Sequence, residues 1–196
     1  MAVYTKTGDK GISSLRQSVI SGNRKNKMSK SAVVFDVLGT LDELSTVLGF
    51  LQLSKISEIR KNIISIQEDL LTIGAVISGN ITYTKHKDYW IKKTEYFEKT
   101  IDSLTKVLTK LHSFILVGGS KESSYLHLAR VVCRRLERLF VKYTNESRRK
   151  DLTEIGQYIN RLSDFLFVLA RFGNKKNKVL DIEWVLKKNK LPLYKN

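Results

Sequence analysis

The chain has 196 residues, 42% of them hydrophobic, with one proline and one cysteine, which suits a single packed domain and argues against disorder. The lone Cys133 excludes an internal disulfide, and no apolar run approaches the roughly 20 residues of a membrane-spanning helix. With 35 basic against 19 acidic residues the net charge is +16, which points to an anionic partner.

The amino-terminal stretch lacks an apolar signal core, so a soluble cytoplasmic protein is expected. Residues 1–31 are rich in Gly, Ser, Thr and Lys, have no helical period, and read as an ordered or ligand-ordered loop. Within them "TKTGDKGISS" (5–14) sets Gly8 and Gly11 among hydroxyl side chains, a composition able to present backbone N–H groups to phosphate oxygens. It lacks the GxxxxGK[ST] pattern and a preceding strand, so taken alone it is an ordinary turn.

Apolar residues then recur at three- and four-residue spacing over 32–53, 57–78, 88–111, 121–146 and 151–173, with a short sixth stretch near 181–189. Turn sequences separate them at "SGN" (78–80), "VGGS" (117–120), "YTNES" (143–147) and "FGN" (172–174). Pro192 is the sole proline, so nothing interrupts long helices before it. The expected fold is all-α, a five-helix up-and-down bundle whose functional side chains project from facing helices or from the loops at one end. "FILV" (114–117) and "TYT" (82–84) are at most short extended pieces, and no sheet is expected from them.

In "LHLARVVCRRLERLF" (126–140), Leu126, Ala129, Val132, Cys133, Leu136, Leu139 and Phe140 share one arc and form a core stripe. Arg130, Arg134 and Arg138 recur every four residues on another face, with Glu137 three residues from Arg134 and His127 beside them; Arg135 lies further round, next to Val131. A solvated face with one local ion pair is the simplest reading. Three stacked guanidinium groups repel one another, however, and a single glutamate cannot neutralise them. A partner carboxylate or a bound polyanion would, and arginine forks fit phosphate oxygens.

In the next helix Asn160, Asp164, Phe167 and Arg171 share a side, while Leu162, Leu166, Leu169 and Ala170 face away. Asn and Asp in a helix interior usually have a tertiary reason, and packing of Asn160 and Asp164 beside the arginine stripe would supply one. In "LGTLDELSTVLGF" (38–50) the acids Asp42 and Glu43 adjoin; Asp42 is a candidate counter-charge for a fourth-helix arginine, within the subunit or across an interface. His86, His112 and His127 are too scattered for a metal site.

Taken in order, "YTKTGDKGISSL", "SK" (29–30), "GTLDELS" (39–45), "FILVGGS" (114–120), "LHLARVVCRRLERL" (126–139) and "NRLSDFLFVLAR" (160–171) resemble the ATP:cob(I)alamin adenosyltransferases of the propanediol-utilisation and mitochondrial type. The likeness runs from residue 3 to about 174. It implies a five-helix bundle that assembles as a homotrimer with active sites between neighbouring subunits, ATP and a reduced corrinoid, cob(I)alamin, as substrates, Mg²⁺ accompanying ATP, and a reductase supplying electrons. It divides the chain into an ATP-binding segment (1–31), the bundle (32–174) and a basic tail (175–196) of the same domain.

Residue by residue, the resemblance implies that Thr5, Lys6, Thr7, Gly8, Ser13, Ser14 and Lys30 belong to the amino-terminal ATP site. Arg134, Arg135, Glu137, Arg138 and Asn160 match its helical part, Glu137 orienting Arg134 or reaching Mg²⁺ indirectly. Asp42 and Arg130 match an intersubunit ion pair, and Phe114 an aromatic residue that closes the lower face of the corrin. Arg134, Asn160 and Phe114 would form the catalytic set. Val117, Leu38 and Thr72 depart from the family's frequent Pro, Tyr and Asp. In the implied reaction cobalt attacks C5′ of ATP, which needs no Ser, Cys or His nucleophile. The rival readings are a basic nucleic-acid-binding bundle, which leaves the glycine loop without a role, and a purely structural bundle; neither nucleic acid nor membrane is an expected partner.

Overall fold

The three- and four-residue apolar spacing forms five helices: α1 (Val33–Gly49), α2 (Ser57–Ile77), α3 (Lys87–Val107), α4 (Lys121–Glu146) and α5 (Thr153–Lys176). The computed structural model describes residues 9–15, 26–82 and 86–184. Helix α5 packs against both α4 and α3, and α1 against α4 and α2. Residues such as Leu44, Ile63, Leu126, Leu162 and Leu166 are fully buried between them, each worth about 1.5–3 kcal/mol relative to exposure.

Helix ends depart from the apolar pattern where local chemistry intervenes. The first stretch closes as a 3₁₀ turn, Phe50–Leu53, and the third stops at Val107 because Leu108 is extended. A second 3₁₀ turn, Lys150–Leu152, precedes α5, which continues past the expected end to Lys176. The amino terminus of α4 starts where expected, since Ser120 Oγ accepts a hydrogen bond from Ser123 N at 3.2 Å, the side-chain cap that satisfies an otherwise orphaned helix donor.

Three expectations are corrected. The amino-terminal loop contains an antiparallel hairpin, β1 (Ile12–Leu15) with β2 (Asn26–Ser29), closed by Lys30 N donating to Gly11 O at 2.9 Å; Leu15 is buried in the core and anchors the hairpin. "FILV" does enter a sheet, for β3 (Ile115–Leu116) pairs with β4 (Ile182–Glu183). Over its described part the sixth helix is therefore this strand, and residues 177–184 turn back onto the bundle end instead of trailing away. Except for Thr82, "TYT" lies outside the described residues.

Aromatic contacts fix α3 to α5: the Phe97 and Phe165 rings stack with centroids 4.4 Å apart, and Trp90 meets Tyr158 edge-on at 5.1 Å. Above them the buried Asp69 of α2 accepts hydrogen bonds from Tyr158 Oη at 2.8 Å and from Tyr89, and pairs with Lys93 Nζ at 3.0 Å. A buried carboxylate is tolerated here because its oxygens are paired and hydrogen-bonded.

Candidate active site

The core stripe of α4 is buried as its spacing requires, with Leu126, Ala129, Val132, Cys133, Leu136 and Phe140 all inside. Burial pushes the Cys133 thiol well above its ordinary value, so it is core and not a nucleophile. The opposite face carries Arg134 and Arg138 into solvent, with Arg130 half-buried at its edge.

Three side chains from two helices meet on this ridge. Asn160 Nδ2 of α5 donates to Glu137 Oε1 at 2.6 Å, and Arg134 Nη1 lies 3.4 Å from Glu137 Oε2. One carboxylate thus bridges the amide and the guanidinium, leaving the remaining N–H groups of Arg134 free for an outside acceptor. Among the described residues Arg138 has no carboxylate partner, and no group of three or more His, Cys, Asp or Glu could hold a metal ion. Mg²⁺ prefers about six oxygen ligands and retains several waters; with both Glu137 oxygens already engaged, the residues suit an ion carried by phosphate oxygens and reached from Glu137 through water.

Other predicted residues are placed differently. Arg135 turns towards α1 and pairs with Glu43, a partner that the spacing of "DE" did not single out from Asp42. Asp42 is exposed and has no ion pair among the described residues. Asp164 does not join the arginine ridge, which corrects the expected packing: it is exposed and its near neighbour Arg161, three residues earlier, pairs with it at 2.8 Å. Asn160 is likewise exposed rather than enclosed. Arg171, grouped with Asn160 by spacing, is buried at the far end of α5 against Asp181 at 2.7 Å.

Of the amino-terminal candidates, Ser13 sits half-buried on β1 and Lys30 is exposed just after β2; Ser14 is on β1, and Thr5, Lys6, Thr7 and Gly8 lie outside the described residues. Among the described residues of one protomer, no hydrogen bond or ion pair joins Ser13 or Lys30 to the ridge.

His127 is 4% exposed, and among the described residues neither ring nitrogen finds a partner; Arg130 Nε beside it is also buried and unpaired there. Burial and the neighbouring Arg130 push the imidazole down to about 4, so it is neutral near pH 7, while burial and Arg134 also lower Arg130 from its ordinary value. The Phe167 ring covers His127 edge-on at 5.9 Å. Spacing put His127 next to the arginines but gave no sign that it would be enclosed.

Phe114 stands on the loop between α3 and β3, 84% exposed, with Leu116, Val117, Leu180, Ile182 and Trp184 also exposed around it. Its carbonyl accepts from Trp184 N at 2.6 Å. The result is an apolar tip at the end of the bundle where α4 begins and α5 ends. No helix among the described residues is long and apolar enough to cross a membrane.

A cationic ridge braced by a carboxylate and an amide, on a helical bundle with an apolar tip, is the combination on which known proteins can be compared. Residues 3–173 match the family model for cobalamin adenosyltransferase. The chain is 36% identical to the corrinoid adenosyltransferase MMAB of Bos taurus, covering 96% of this chain and 77% of that protein. It is 34% identical to the corrinoid adenosyltransferase of Bacillus subtilis, covering 94% and 92%. Among solved structures, a phenylalanine-to-alanine variant of the PduO-type ATP:corrinoid adenosyltransferase from Lactobacillus reuteri, complexed with cobalamin and ATP, superposes with a TM-score of 0.80 at 26% identity, over 93% of this chain and 99% of that one. An arginine-to-lysine variant complexed with ATP gives 0.77 at 28%, over 93% and 100%. The chain belongs to the cobalamin adenosyltransferase family.

Proposed function

We propose that the protein transfers the 5′-deoxyadenosyl group of ATP to the cobalt of cob(I)alamin, giving adenosylcobalamin and inorganic triphosphate. The observation that carries this reading is the Arg134–Glu137–Asn160 cluster, in which a guanidinium is held by a carboxylate with its outer donors uncommitted. In the reaction the cobalt electron pair forms a bond to C5′ while the C5′–O bond breaks and its electrons pass to the triphosphate. Positive groups fixed before reaction stabilise that developing charge without reorganising, which favours the transition state over the ground state.

Arg134 takes the triphosphate, aided by Arg138 along the ridge and by Lys30; Asn160 orients the nucleotide, and Arg135, held by Glu43, lines the flank. Mg²⁺ enters with ATP and neutralises phosphate oxygens. Thr5, Lys6, Thr7, Gly8, Ser13 and Ser14, in an ATP-binding segment spanning residues 1–31, complete the site from a neighbouring copy in a homotrimer. The partner's Asp42 meets Arg130, whose unpaired buried Nε supports a missing acceptor. Phe114 closes the lower face of the corrin, keeping water and an axial ligand from cobalt. A separate reductase supplies cob(I)alamin, and the setting is cytoplasmic.

Incubation of the protein with ATP, Mg²⁺ and chemically reduced cobalamin tests the reading. Equal amounts of adenosylcobalamin and triphosphate are expected; a corrinoid left unalkylated would overturn it.

A further inference from the structure

The loop that carries Phe114 is tied down by residues absent from the ridge. Asn174, near the end of α5 and 2% exposed, holds it from both ends of its amide: Oδ1 accepts from Ser120 N at 2.8 Å, and Nδ2 donates to Gly118 O at 3.1 Å. The same Nδ2 donates to Asp181 Oδ1 at 3.0 Å, and Asp181 Oδ2 accepts from Arg171 Nε at 2.7 Å. Arg171 in turn donates to Thr109 O on the other side of the loop. Gly119 has φ +105°, and a Cβ placed on it would overlap the Asn174 amide, so only glycine permits this close approach.

A second tie acts nearer the phenylalanine. Glu183 Oε2 accepts from Ser113 Oγ at 2.9 Å and from His112 N at 3.3 Å, while Trp184 N reaches Phe114 O at 2.6 Å. Both ties come from one continuous stretch, residues 174–184, that leaves α5 and folds back over the bundle end.

We infer that Asn174 and Glu183 are positioning residues for Phe114: the stretch 174–184 fixes the aromatic ring over the corrin's lower face by clamping the backbone on both sides of it. The inference rests on the proposed role of Phe114. The buried clamp supplies rigidity, because its polar atoms find their partners inside the protein and would be left unsatisfied if the loop moved. The outer clamp sets the height of the ring. Among the described residues this stretch makes no hydrogen bond or ion pair with Arg134, Glu137 or Asn160, so its effect falls on the corrinoid.

The test measures, by electron paramagnetic resonance, the fraction of bound cob(II)alamin that has lost its lower axial ligand in the presence of saturating ATP. Phe114→Ala, Asn174→Ala and Glu183→Ala are compared with the unmodified protein. Loss of hydrogen bonds of this kind should lower the ratio of ligand-free to ligated cobalt roughly threefold to tenfold in Asn174→Ala and Glu183→Ala. The same variants should lose more kcat/KM with cobalamin than with a corrinoid that has no lower ligand. Glu183 lies at the surface edge, so its variant reports even where Asn174→Ala fails to fold. If Phe114→Ala alters the cobalt signal while Glu183→Ala and any folded Asn174→Ala leave it unchanged, the positioning role is wrong; if Phe114→Ala leaves it unchanged, the reading of Phe114 itself fails.

Discussion

Asn160 of α5 donates to Glu137 of α4 at 2.6 Å, and the second oxygen of that carboxylate faces Arg134 at 3.4 Å. Two helices are thereby coupled through one anion, and the guanidinium is aimed outward with its donors preserved. In Asn160→Ala the carboxylate loses a donor and Arg134 loses its fixed orientation. Hydrogen bonds to charged groups contribute about 1.5–3 kcal/mol, so kcat/KM for ATP should fall roughly tenfold to a hundredfold. Steady-state kinetics with chemically reduced cobalamin checks this; an unchanged value removes Asn160 from the site.

Among the described residues Arg130 is half-buried with an unpaired Nε and no ion pair, and Asp42 is exposed and also without an ion pair. If the two meet across subunits, Arg130→Ala should weaken assembly and activity together, and Asp42→Asn should do the same. Sedimentation velocity over a concentration series is the measurement. Subunit association unchanged in both variants refutes the pair.

His127 makes stability depend on pH. Its folded value of about 4 lies below the ordinary 6.5, so the unfolded chain takes up a proton first as pH falls. Stability is complete above pH 6.5 and is lost on acidification towards 4, by about 3 kcal/mol for a shift of this size. Arg130 opposes the charged imidazole and Asp181 favours it. His127→Gln should flatten this part of the profile in denaturant melts between pH 7 and 4.5; an identical slope in both proteins contradicts the assignment.

Asp69 holds α2 to α3 and α5 through Tyr89, Tyr158 and Lys93. Asp69→Ala removes one partner from a buried charged network and should destabilise the protein by about 3–5 kcal/mol. Urea unfolding measures it. A change below about 1 kcal/mol would place the network among weak surface contacts.

Much of this was legible in the sequence because helical burial repeats. The bounds of α4 and the identity of its core and arginine faces follow directly from spacing. What spacing cannot supply is the rotation of one helix against another: Asp164 shares a side with Asn160, yet a nearby arginine captures it before the ridge can. Glu43 and Asp42 are adjacent in sequence, and only the α1–α4 packing decides that Glu43 takes Arg135. Two-residue strands such as β3 and β4 carry no periodic signal, so the return of residues 177–184 onto the Phe114 loop was hidden. The burial of His127 was hidden too, since it depends on how α5 sets the Phe167 ring against it.

The nucleotide site proposed between neighbouring copies is tested most directly by mixing two variants, each expected to be inactive alone. Arg134→Ala spoils the helical half and Lys6→Ala the amino-terminal half. Co-expressed in equal amounts, they should form mixed trimers in which about a quarter of the inter-subunit sites unite two intact halves. Adenosylcobalamin formation should therefore recover to about a quarter of the unmodified rate, given that each variant alone is inactive. Mixed trimers that form but remain as inactive as either parent would contradict a nucleotide site built from two copies.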